Sequence, residues 1–244
     1  MENMENKFCH NKLEVKQIPW KRSMMNWKPP RLTGDIPHGD MPGDKVEINE
    51  GHIAKANLIF PRLINELEKA MGENPYSRAV VSVCGGSGVG KSETASLLSY
   101  YLNECGIGSY TMSGDNYPHR IPKYNDAERL HRFRESGLKG MITAGTYTRE
   151  RFELIHEWQR METDADPAHA DKYDWFSSYL SAGKRGLKRY LGSSLETGFD
   201  EVEAIVKEFK NGADHIYLKR MGREAAELWY ENVDFSGTQV LLIE

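Results

Sequence analysis

The chain has 244 residues, 39% of them hydrophobic and 28% charged, with a formal net charge of −4. This composition suits a folded globular protein with room for one large domain plus an arm and an insertion, and it excludes an intrinsically disordered chain. With no net basic field and no apolar run near the ~18 to 20 residues that span a bilayer, neither a nucleic-acid nor a membrane partner is expected.

The polar N-terminus is not a secretory signal. Cys9, Cys84 and Cys105 are widely spaced and odd in number, so they form neither a disulfide framework nor a metal-ligand pattern. A reducing, cytoplasmic setting is expected, with Cys84 as a small core residue at the end of an apolar strand.

Residues 1–52 read as an N-terminal arm. Trp20, Trp27, Pro29, Pro30, Pro37 and Pro42 fall in an irregular stretch with glycines between them. Short strands are expected at Leu13–Ile18 and Lys45–Ile48, and the two tryptophans are expected to pack on the main domain. Residues 53–125 read as the first part of a core. Ile59, Leu63, Leu67 and Ala70 recur at helical spacing over 53–71, and Pro61 either opens the second part of that helix or kinks it. Asn74-Pro75 then breaks the pattern.

The next segment carries the strongest chemical signal. An apolar run containing Val80, Val81 and Val83 precedes Gly85-Gly86-Ser87-Gly88-Val89-Gly90-Lys91-Ser92, which satisfies G-x-x-x-x-G-K-[ST]. A helical pattern follows over Glu93–Leu102, with Ala95, Leu98, Tyr101 and Leu102 on one side. Strand, glycine loop and helix together form a phosphate cradle. Glycines allow the backbone N–H groups to turn inward, and the helix N-terminus adds partial positive charge. Gly85, Gly86, Ser87, Gly88, Val89, Gly90, Lys91 and Ser92 are therefore the expected nucleotide-binding residues. Lys91 would reach the β- and γ-phosphates, and Ser92 would ligate Mg²⁺. ATP and Mg²⁺ are the expected cofactors.

Ser109–Ser113 reads as a second strand, followed by Gly114-Asp115-Asn116-Tyr117-Pro118-His119-Arg120. Ligands of α/β sheets bind beyond the carboxyl ends of the strands. If this strand pairs beside the P-loop strand, Asp115 emerges next to the triphosphate, where it can orient or deprotonate an acceptor hydroxyl. The competing role is a turn or capping aspartate. Asn116, Tyr117, His119 and Arg120 form the acceptor-side candidates, with Lys123 and Tyr124 close behind.

Residues 126–192 read as a helical insertion. One helix runs from Asp126 to Glu135. A second is capped by Thr148, with Phe152, Ile155, Trp158 and Met161 near one face. A third spans about Asp174–Tyr190 and ends in Lys184, Arg185, Lys188 and Arg189, a solvated basic face or a phosphate-facing lid. Residues 193–244 read as the second part of the core. An amphipathic helix carries Phe199, Val202, Ile205, Val206 and Phe209, and two short strands follow at His215–Lys219 and Leu228–Asn232. Val240–Ile243 is a buried strand ending in Glu244, where an acid supports Mg²⁺ in P-loop enzymes.

The ordered set Gly85–Ser92, Gly114–Tyr117 and Val240–Glu244 resembles the P-loop kinases of the uridine kinase, phosphoribulokinase and pantothenate kinase group. The segment Gly198–Val202 through Phe209-Lys210-Asn211-Gly212 resembles the part of that group that leads into a substrate-side hairpin. The resemblance implies a three-layer α/β P-loop NTPase fold with a mostly parallel sheet, here with an N-terminal arm and a helical insertion. It implies ATP-dependent phosphorylation of a hydroxyl on a small molecule. Lys91 and Asp115 are the expected catalytic residues, with Ser92 and Glu244 at the metal. The group continues past its Glu-ending strand into a lid and an adenine-binding loop, so the second part of the core is expected to be truncated at Glu244.

Gly114-Asp115-Asn116, with its 24-residue spacing from Lys91, also resembles adenylylsulfate kinases. Two further alternatives are a nucleotide-binding module without transfer activity and a P-loop NTPase that drives a partner. The acceptor's identity is left open, as is assembly into a homo-oligomer.

Overall fold

The computed structural model describes residues 27–32, 36–86 and 88–244. The chain is α/β and divides into two compact units. The first comprises the described residues up to Gly114, together with Glu203–Arg220 and Tyr230–Glu244. The second comprises Asp115–Val202 and Met221–Trp229.

The first unit is built on a three-stranded parallel sheet. Strand β1 (Ala79–Ser82) is followed by α2 (Lys91–Glu104) and then β2 (Ser109–Met112), while β5 (Val240–Ile243) returns from far along the chain. The order is β1-β5-β2, with Ala79 and Ser109 both opposite Val240, and Ser82 and Met112 both opposite Ile243. The second strand therefore does not pair beside the P-loop strand, the arrangement considered for placing Asp115; β5 occupies that place. Val240, Leu241 and Leu242 are fully buried, as the central position of a parallel sheet requires.

Helix α1 (Glu50–Glu73) precedes β1. It starts at a reciprocal cap: the Asn49 side chain accepts from the His52 N–H, and the Asn49 N–H donates to the His52 ring. Pro61 lies inside this one helix. The apolar face is Ala56, Phe60, Ile64, Leu67 and Met71. Ile59, expected in the core, is 41% exposed, and Ala70 is exposed too. The predicted stripe is therefore about one residue out of phase, which is close to 100° around a helix.

Helix α2 is buried continuously from Thr94 to Leu102. Its Tyr101 meets Phe60 edge-on at 5.3 Å, and Trp27 packs on both rings at 4.9 and 5.6 Å. Trp27 thus packs on the first unit, as expected; Trp20 and the expected strand at 13–18 lie outside the described residues. Lys45–Ile48 forms no strand.

Cys84 is exposed and not a core residue. Strand β1 ends at Ser82, and the chain is already leaving the sheet. Arg78, just before β1, is buried and donates to the carbonyls of Phe209, Ala213 and Phe235.

The second unit is mainly helical, with α3 (Pro122–Thr143), α4 (Arg149–Arg160), α5 (His169–Lys172) and α6 (Phe176–Tyr190). Helix α3 runs well past the predicted Glu135. Thr148 caps α4 as expected by accepting from the Arg151 N–H. Ile155 and Trp158 are buried, whereas Met161 is exposed.

Helices α3 and α6 approach closely because each presents two glycines one turn apart. Gly137 faces Tyr179, Gly140 faces Ala182, Gly183 faces Phe133 and Gly186 faces Ser136. Phe133, Met141, Ile155, Trp158, Phe176, Tyr179 and Leu180 form the core of this unit. Lys184, Arg185, Lys188 and Arg189 are all exposed.

Helix α7 (Phe199–Lys210) leads to β3 (His215–Met221) and β4 (Leu228–Asp234), which pair as a separate two-stranded sheet. No helix among the described residues is long and apolar enough to cross a membrane.

Candidate functional site

The sheet of the first unit ends at the glycine loop. The Val83 N–H donates to the Ile243 carbonyl at 2.8 Å, the last rung before the loop departs. Gly88 and Gly90 have φ of +72° and +83°. These are left-handed conformations that side-chain-bearing residues disfavour. Gly90 is the N-cap of α2 with no side-chain cap, a helix start whose first-turn N–H groups can receive an anion. Ser87 lies outside the described residues.

Two side chains from the start of α2 converge on the loop mouth. The Lys91 ammonium donates to the Gly86 carbonyl at 3.1 Å. The Ser92 hydroxyl donates to Glu244 Oε2 at 2.7 Å. This second bond joins positions 152 residues apart in sequence, and the strand order produces it: β5 adjoins β1, so Glu244 emerges beside the helix that follows the loop.

The backbone holds Glu244 on both sides. Its N–H donates to the Met112 carbonyl at 3.2 Å, and its carbonyl accepts from the Gly114 N–H at 2.8 Å. One hydroxyl and one carboxylate on neighbouring elements fit Mg²⁺, which binds through one or two protein oxygens plus water and phosphate rather than an all-protein cage.

The loop is braced from outside. Lys55 donates to the Val89 carbonyl at 2.9 Å. The His52 ring lies where a Gly90 side chain would go, with Nε2 2.6 Å from that Cβ position. Both residues sit in the first turns of α1. Nothing in the local sequence marks them as neighbours of the loop, although the Asn49-x-x-His52 spacing is readable as a helix start.

The remaining candidates belong to the second unit. Asp115 is exposed, in a short 3-10 turn (Gly114–Asn116). Asn116 and Tyr117 are fully buried. The Asn116 side-chain Oδ1 accepts from the Met221 N–H at 3.0 Å, and the Tyr117 main-chain carbonyl accepts from the Gly198 N–H at 2.9 Å. These are structural engagements, in contrast with the acceptor contacts expected for the pair.

His119 is exposed. Its N–H donates to the Glu196 carbonyl, and its ring lies 3.0 Å from the Ser194 carbonyl. Arg120 donates to the Tyr190 hydroxyl at 3.2 Å, and that hydroxyl donates to Asn125.

Glu196, which sequence reasoning did not single out, is the hub of this cluster. Its buried carboxylate accepts from Asn125, Arg129 and the Gly192 N–H. Burial pushes its pKa up, but the Gly192 N–H and Arg129 outweigh that and leave it below the ordinary carboxylate value. In the helical core, burial likewise raises Asp164. Bonds from Arg134 and Tyr179 again prevail and hold it low.

No family model matches the chain, and no solved structure matches it. The chain is 34% identical over 183 residues to the bifunctional alpha-galactosidase/sucrose kinase AgaSK of Mediterraneibacter gnavus. That match takes in 75% of this chain and 15% of the relative, so the chain spans a small fraction of that protein's length. A stretch of 183 residues in a chain of 244 takes in the glycine loop wherever it begins.

Proposed function

We propose that this chain is an ATP-dependent kinase that transfers the γ-phosphoryl group to a hydroxyl of a carbohydrate acceptor. The observation that carries this reading is the 2.7 Å bond between the P-loop Ser92 and the strand-ending Glu244. It sets a metal-binding oxygen pair beside a glycine loop and a lysine. The sugar-kinase part of the reading is supported by the relative, whose name includes sucrose kinase.

In this reading the loop amides and the N-terminus of α2 receive the phosphates. Lys91 exchanges the Gly86 carbonyl for phosphate oxygens, a change of partner within reach of its flexible stem. Ser92 and Glu244 hold Mg²⁺, which when bound neutralises charge on the phosphoryl oxygens. Asp115 orients the attacking hydroxyl and accepts its proton. Arg120 pairs with no carboxylate among the described residues, and Tyr190 steadies its guanidinium; it offers charge to an anionic group of acceptor or product.

The test is ADP formation by the full chain with MgATP and a panel of acceptors: sucrose, other sugars, uridine, pantothenate and adenylylsulfate. Sugar-dependent ADP formation with a phosphorylated sugar as product is expected. Acceptor-independent ADP release, or turnover confined to a non-sugar acceptor, would overturn the carbohydrate reading.

A further inference from the structure

The segment just before α1 has no counterpart in the P-loop motif, yet it reaches the acid end of the sheet. Gly39 is buried against Glu244. A Cβ there would lie 3.1 Å from Glu244 Oε1 and 3.5 Å from the Ser113 Cβ. Its neighbour Asp40 is tied to three groups. Oδ1 accepts from the Ser113 N–H at 2.7 Å, and Oδ2 accepts from the Tyr110 hydroxyl and from Arg220, each at 2.9 Å. Arg220 is itself buried; it also donates to the Tyr110 hydroxyl at 2.9 Å and to Glu231 at 2.9 Å.

The ties form a closed circuit around one carboxylate. Tyr110 is on β2, opposite Leu241 of β5. Ser113 immediately precedes Gly114, whose N–H holds the Glu244 carbonyl. Asp40 therefore grips Tyr110 of β2 and Ser113, the residue between the Met112 and Gly114 groups that hold the Glu244 backbone, while the Gly39 peptide lies against the Glu244 side chain. A buried Asp–Arg pair is weak support for stability alone, because desolvation offsets the attraction. Its use here is geometric.

We infer that Asp40 is a positioning residue that, with Arg220 and Tyr110, holds the 39–40 peptide over Glu244 and keeps its carboxylate aimed at Ser92 for Mg²⁺. This rests on the nucleotide reading proposed above. The phosphate cradle itself, made of loop amides and Lys91, does not include this circuit. Its disturbance should therefore show in the magnesium-dependent part of nucleotide affinity and not in the remainder.

The experiment is calorimetric titration of ATP into the full chain, once in excess Mg²⁺ and once in EDTA, with thermal unfolding followed in parallel. Asp40→Asn keeps size and an acceptor for Ser113 but weakens the hold on Arg220. Gly39→Ala leaves the circuit intact and nudges the Glu244 carboxylate directly, so it decides the matter if Asp40→Asn does not fold. The affinity ratio between the two conditions should fall about tenfold in each folded variant, with the EDTA affinity unchanged, a shift equivalent to about 1.4 kcal/mol.

A ratio equal to that of the unmodified chain in either folded variant would overturn the inference. So would equal losses in both conditions, which a merely structural role predicts. Absence of magnesium-dependent ATP binding in the unmodified chain would overturn the nucleotide reading first, and this inference with it.

Discussion

Gly90→Ala separates two physical demands made on one loop position. The φ of +83° imposes on alanine a left-handed conformation that costs about 1–2 kcal/mol. The new methyl would also sit 2.6 Å from His52 Nε2. The ring must move, which breaks the Asn49 N–H to His52 Nδ1 bond of 3.3 Å, and losing that half of the α1 cap adds about 0.5–1.5 kcal/mol. The expected total is roughly 2–3 kcal/mol. In His52→Ala the ring is already gone, so the methyl meets no obstacle. The double variant should be less destabilised than the sum of the singles by about 1 kcal/mol, while the left-handed cost remains. Urea unfolding of the four proteins without nucleotide, with midpoints compared at constant slope, measures this. A double variant that is simply additive would refute the role assigned to His52, and a cost below about 0.5 kcal/mol for Gly90→Ala would refute the backbone argument.

Ser92→Ala should remove most of the magnesium-dependent gain in ATP affinity while leaving the fold intact, read by calorimetry with and without Mg²⁺. Asp115→Asn should lower turnover by about 10²- to 10⁴-fold with ATP affinity retained, the range for loss of a positioned general base; unchanged turnover would remove Asp115 from the mechanism. Arg78→Met leaves two buried carbonyls and one half-buried carbonyl without their donor and should cost about 3–5 kcal/mol in a denaturant titration. Asp164 is held below its ordinary value of 3.8. Its contribution is therefore present above that value and lost as pH falls through the lower folded value. Asp164→Asn should accordingly flatten the acid limb of a melting-temperature profile below about pH 4.

Features fixed by local constraint were legible in the sequence. Val240–Ile243 reads as a buried strand because a strand covered on both faces is a continuous apolar run. The tight turn before α2 reads from its glycines, because Gly88 and Gly90 adopt left-handed backbone angles. What could not be read depends on partners distant in sequence. Nothing within four residues of β1 or β2 specifies that β5 separates them, so the neighbour of the P-loop strand is not readable there. Asn116 and Tyr117 read as polar-site residues, yet both are buried, the Asn116 side chain bonding the Met221 N–H and the Tyr117 main chain bonding Gly198, partners far along the chain. The phase of α1 slipped because Ile59 and Phe60 are both apolar and only packing against α2 chooses between them. The close contact of α3 and α6 did leave a trace: Gly137 and Gly140, like Gly183 and Gly186, repeat the same three-residue spacing on facing helices.

The order β1-β5-β2 has a consequence for how the chain folds. Strands β1 and β2 are joined by a single helix, but neither pairs with the other; each waits for β5, which follows five further helices and a hairpin. Closing so long a connection carries an entropic cost that no local contact offsets beforehand. Until Val240–Ile243 docks, both strands expose an unpaired inner edge, a surface open to pairing with another chain. The same residues that bring Glu244 to the loop therefore also shield the nascent sheet, and their arrival is expected to limit the folding rate of the first unit.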